Sequence, residues 1–198
     1  MIKTLMAMAA LLVADAAWAQ AAPPPATERE FADGNAWTLA EPMSWEIGSS
    51  GVLITVPENF VHDKASIPRA LWSFLPKNGQ YTRAAVIHDY LYWSQHCTRE
   101  QADNLLVIAM KESDVGWWTR KTVYRGVRLG GGSAWDANRT DRANGLPRFN
   151  PRDPMPANVT WPQRRLTLAA RGYRDPPLEA ANGYCAFGDS QDVPGTPR

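Results

Sequence analysis

His88-Asp89-Tyr90-Leu91-Tyr92 is the one run in this chain whose residue types and spacing could do acid–base chemistry. Of three histidines, His62 and His96 sit beside a strand and in a loop, where local or solvent contacts are expected. His88 lies inside an apolar stretch, and a core-facing imidazole needs partners for its ring nitrogens. Asp103 is the candidate partner. His88 falls about 9 Å before the end of one predicted helix and Asp103 about 6 Å past the start of the next. In an antiparallel pair the two stand nearly level. Asp103 also shares a face with Val107 and Met110, so it points inward, where an unpaired carboxylate is costly. A carboxylate holding one imidazole nitrogen leaves the other to act as a base toward water.

The elements that must position this pair are readable from period and punctuation. Thr82–Ser94 has a wide apolar face at helical spacing. Thr98-Arg99-Glu100-Gln101 matches a capping box, opening a second helix to about Ser113. The short link between them predicts an antiparallel helical hairpin. A third helix is expected over Trp117–Leu129, ending at Gly130-Gly131-Gly132. Upstream, Trp45 and Ile47 alternate before the turn cluster Gly48-Ser49-Ser50-Gly51, and Val52–Val56 is β-branched, so a β-hairpin is predicted. Ser66-Ile67-Pro68 reads as an N-cap before a short helix, with Ser66 and Asp63 as walls of the same polar pocket. The fold class is therefore α+β: a small antiparallel hairpin packed on a three-helix core. The core spans 36–135 and an irregular Pro-rich C-terminal extension spans 136–198, with one short helix near Gln163–Arg171.

Composition narrows the rest. The chain has 198 residues, with 21 Lys+Arg against 20 Asp+Glu, for a net charge of +1. That balance argues against nucleic-acid binding driven by overall charge. No apolar run reaches the ~18–20 residues of a membrane span. Met1–Ala19 has the form of a secretory signal, with Lys3, an apolar Leu5–Val13 stretch and the Ala17-Trp18-Ala19 site, followed by a disordered leader over 20–35. In the exported protein, periplasmic or extracellular, Cys97 and Cys185 are the only two cysteines, and pairing is the default. On the third helix, Lys121, Arg125 and Arg128 form a basic stripe with Arg120 beside it and Trp117 and Trp118 at its start, which suits the solvated face of a core helix or, alternatively, contact with anionic lipid or an envelope surface.

Two resemblances follow from these motifs. Asp63-Lys64-Ala65-Ser66-Ile67-Pro68, His88-Asp89-Tyr90-Leu91-Tyr92 and Ala102-Asp103 occur in order over about residues 45–135. They resemble an uncharacterised domain family of bacteria and phages with a D-x-A-S-I-P, H-D-x-L-Y and A-D pattern. The His-Asp-x-x-Tyr helix followed by an Asp on an antiparallel helix is also similar to the core of secreted phospholipase A2. That likeness implies His88 as base for water, Asp103 as its orienting carboxylate, Tyr92 as a hold on Asp103, and Asp89 as a calcium ligand. The chain departs from that family in lacking a glycine-rich calcium loop before the helix and cysteines flanking the histidine. Two functions follow: a hydrolase acting on a phospholipid-like ester, or a non-catalytic envelope or phage-derived accessory module in which the same residues form a buried polar network.

Overall fold

The structure is a computed structural model describing residues 26–64, 81–155 and 157–195. The signal-sequence reading of Met1–Ala19 and that of Ser66 with its short helix lie outside the described residues. Among the described residues, five strands come first: β1 (Glu28–Glu30), β2 (Trp37–Leu39), β3 (Met43–Glu46), β4 (Leu53–Val56) and β5 (Val61–His62). Four helices follow: α1 (Tyr81–Ser94), α2 (Arg99–Glu112), α3 (Trp117–Ala143) and α4 (Trp161–Ala170), then a 3-10 helix at Tyr184–Asp189. The class is α+β with a helical core.

The predicted hairpin is β3–β4, antiparallel with Trp45 opposite Ile54. A second antiparallel sheet has the order β1-β2-β5. Its first strand corrects the leader expected to be disordered over 20–35. Glu28–Glu30 pairs with Trp37–Leu39, and Phe31 behind it is buried against Trp161 of α4, ring centroids 5.4 Å apart. A three-residue polar strand carries no alternation to read; the anchor is one phenylalanine, far from its partner in sequence. The C-terminal stretch closes this sheet as well. Val61 N–H donates to the Arg148 carbonyl and Asn150 N–H to that of Asn59.

α1 is buried at every position but Arg83, as a helix apolar on most sides must be. Ile87 and Leu91 from α1 meet Leu105 and Ile108 from α2 in the main core, each burial worth roughly 1.5–3 kcal/mol. α2 opens with the predicted capping box, Thr98 and Gln101 each bonding the other's backbone N–H. The third helix does not stop at Gly130-Gly131-Gly132; it runs on to Ala143, so the boundary placed at Trp135 falls inside α3. Three glycines weaken a helix by about 1 kcal/mol each relative to alanine. Gly131 is required by packing: a Cβ there would overlap the Tyr92 hydroxyl of α1. Close approach of two helices, invisible in propensity, outweighs the local signal.

The chain beyond α4 is held on α2. Cys97, just before the α2 cap, is disulfide-bonded to Cys185 of the 3-10 helix. Asn104 donates to the Gly188 carbonyl, and Gln101 to Asp189.

Candidate functional site

Three helices converge on Asp103, which is fully buried. His88 Nε2 stands 2.9 Å from its Oδ1, and the Tyr92 hydroxyl donates to the same oxygen at 2.6 Å. Both come from α1, one helical turn apart. From α3, Arg128 donates to Oδ2 at 2.9 Å, and Arg99, one turn before Asp103 on α2, lies 3.6 Å from it. An Nε2–H pointing at Asp103 puts the imidazole lone pair on Nδ1.

The electrostatics follow from burial and these contacts. Burial raises the Asp103 carboxyl, but hydrogen bonds from His88, Tyr92 and Arg128 together outweigh it and leave the group below its ordinary value. Burial lowers His88 below its ordinary 6.5, against the pull of Asp103. Burial and the Asp103 contact raise Tyr92, keeping its hydroxyl a donor. The carboxylate raises Arg128.

His88 and Tyr92 also line a cleft of about 470 Å³ between α1 and α3. Small residues of α3 make one wall, Gly126, Gly130, Gly131 and Ala134 among them; Asp63, Asp89, Asp141 and Arg148 also line it. Arg148 reaches back to the Val61 carbonyl, with a nitrogen 3.8 Å from Asp63. Among the described lining residues it is the only basic one.

The sequence reading therefore finds His88, Asp103 and Tyr92 together, with Asp63 and Asp89 at the same cleft. Ser66 lies outside the described residues. Asp89 Oδ2 accepts the backbone N–H groups of Lys64 at 2.9 Å and Asp63 at 3.3 Å, fastening the end of β5 to α1. No group of three or more His, Cys, Asp or Glu among the described residues has a metal-holding arrangement.

Two expectations need correction. Arg128 belongs to Asp103, not to a basic surface; stripe counting along α3 could not see a carboxylate on another helix. Arg120 likewise turns back to the Val115 carbonyl, whereas Arg125 is exposed and Lys121 lies 4.6 Å over the Trp117 ring. His62, expected to be exposed or locally bonded, is fully buried, stacked on Trp37 with centroids 6.3 Å apart. Neither ring nitrogen makes a hydrogen bond, though Glu28 Oε1 stands 3.4 Å from Nε2. His96, by contrast, is exposed, its Nδ1 3.2 Å from the Tyr184 hydroxyl. Arg99 and Arg148 went unread. The first carries a signal, its i, i+4 spacing to Asp103; the second carries none.

No solved structure matches this chain. A curated relative, the "Uncharacterized protein y4jT" of Sinorhizobium fredii (strain NBRC 101917 / NGR234), is 32% identical over 80 residues, or 39% of this chain. The chain spans 24% of that relative's length. The stretch from β2 through the first part of α3, residues 37–127, which holds His88, Tyr92 and Asp103, matches a domain family described as "Protein of unknown function (DUF1353)".

Proposed function

We propose that this is an exported hydrolase that activates water with His88 and cleaves an amphiphilic, phospholipid-like ester. The observation that carries the reading is an imidazole lining a cleft, with its Nε2 2.9 Å from a buried carboxylate. In the proposed step, the His88 imidazole takes a proton from water as the water oxygen bonds to the ester carbonyl carbon. Asp103 stabilises the imidazolium, and that proton passes to the departing alkoxide as the C–O bond breaks, leaving acid and alcohol. The wall of small residues on α3 suits an apolar part of the substrate. Export is supported by the Ala17-Trp18-Ala19 sequence and by the disulfide, which persists in an oxidising compartment.

The test is an ester panel of phospholipids and soluble analogues, with calcium and with chelator, on wild type, His88→Gln and Asp103→Asn. Turnover should fall roughly a hundredfold or more in both variants while they remain folded. Absence of turnover on every ester overturns the proposal. A second reading, a non-catalytic accessory module, is favoured by the ties of Asp103 to α1, α2 and α3. On that reading Asp103→Asn lowers the melting temperature and there is no turnover to lose.

A further inference from the structure

The outer face of α3 is an unusual surface for a helix packed on a core. Its inner face is anchored by Val123 and Val127, the only buried residues of its 27. At about 100° per residue, Trp118, Arg125 and Leu129 fall within about 40° of one another, some 120–180° round from those valines. Trp118 is 76% exposed and Leu129 89%. Trp117, 51% exposed, packs edge-on against Trp118 and carries Lys121 over its ring. No acidic residue occurs from Trp117 to Trp135. The first on the helix, Asp136, is paired with Arg139 and lies about 27 Å beyond Trp118.

Leaving a leucine and two indoles in water forfeits burial, and nothing in the packing of α3 requires them on this side. Interleaving them with Lys121 and Arg125 is the pattern of an interfacial helix: aromatic rings at headgroup depth, apolar side chains just below, cations beside lipid phosphates. We infer that the outer face of α3, through Trp117, Trp118, Lys121, Arg125 and Leu129, docks the protein on an anionic lipid bilayer. Charge complementarity favours lipid over a second copy of the chain, because two such faces would bring Lys121 and Arg125 against their own equivalents. The helix lies flat in the interface, and the cleft, walled by Gly126, Gly130 and Ala134 farther round the helix, opens to the side. The surface is therefore for recruitment and does not depend on the proposed hydrolysis.

The experiment is sedimentation of the purified, disulfide-bonded protein with vesicles of phosphatidylcholine alone or mixed with phosphatidylglycerol, at about 0.1 M and about 0.5 M salt. Quenching of tryptophan fluorescence by brominated lipid is read alongside. Binding should require phosphatidylglycerol, weaken at high salt and quench the indoles. Lys121→Gln with Arg125→Gln should cost about twenty-fivefold in partition, at about fivefold per basic residue. Trp118→Ala should weaken binding and reduce quenching. These positions are exposed, so the variants' circular dichroism should match wild type. Failure to bind phosphatidylglycerol vesicles overturns the inference, as does binding indifferent to the double variant. Self-association that buries the tryptophans without lipid partition also overturns it and assigns the face to a second copy. None of these readouts uses turnover, so failure here is distinct from failure of the hydrolase reading.

Discussion

At the level of single residues, Asp103 is a charge whose place in the core depends on its partners. Removing it with Asp103→Ala leaves His88, Tyr92 and Arg128 without their acceptor and should destabilise the protein by about 3–5 kcal/mol, read by urea denaturation. A loss below about 1 kcal/mol would mean that the carboxylate is not ionised and buried in solution. His62 supplies a pH prediction. Burial first, then Lys64 and Arg148, hold it well below its ordinary 6.5. The unfolded chain therefore takes up this proton first, and stability present above about pH 6.5 is lost as pH falls. His88 contributes in the same direction. Glu28, raised by burial against the pull of Lys64, works oppositely in acid. His62→Phe keeps the stack on Trp37 and should flatten the fall in stability between about pH 7.5 and 5. An unchanged pH dependence would place the acid sensitivity elsewhere.

At the level of elements, three neighbouring glycines on α3 make a graded test. A Cβ at Gly130 or Gly132 meets nothing within 4 Å, whereas at Gly131 it meets Tyr92. Gly130→Ala and Gly132→Ala should each stabilise by up to about 1 kcal/mol, while Gly131→Ala should destabilise despite the same gain in propensity. Thermal melts of the three variants check this; a Gly131→Ala protein as stable as the other two would show that α1 and α3 do not approach so closely. This contrast also marks where the sequence could be read and where it could not. α1, α2, the capping box and the level placement of His88 and Asp103 depend on intervals within about 20 residues, which helical geometry converts directly into distance. The continuation of α3, the strand at Glu28–Glu30 and the burial of His62 depend on contacts between distant segments. Those are set by Tyr92 against Gly131, Phe31 against Trp161, and the pairing of β2 with β5 across the hairpin. Arg128 was misplaced for the same reason: its helix face was legible and its partner was not.

At the level of the whole molecule, among the described residues no helix is long and apolar enough to cross a membrane. The long-range tie is the Cys97–Cys185 bridge, 88 residues apart. Reduction should lower stability by about 4–5 kcal/mol on chain-entropy grounds, checked by denaturation with and without reductant. A much smaller loss would mean that Asn104, Gln101 and their partners hold the tail unaided. The bridge also gives the chain the topology of a closed ring with two free arms, and α2, α3 and α4 all lie within the ring. A single proteolytic nick in the exposed stretch of α3 around Leu129 would open the ring without releasing a fragment. Nicked protein would run as one species until reduced, then split in two, and both sides of the cut would stay tethered at α2 in any compartment that keeps the sulfurs joined.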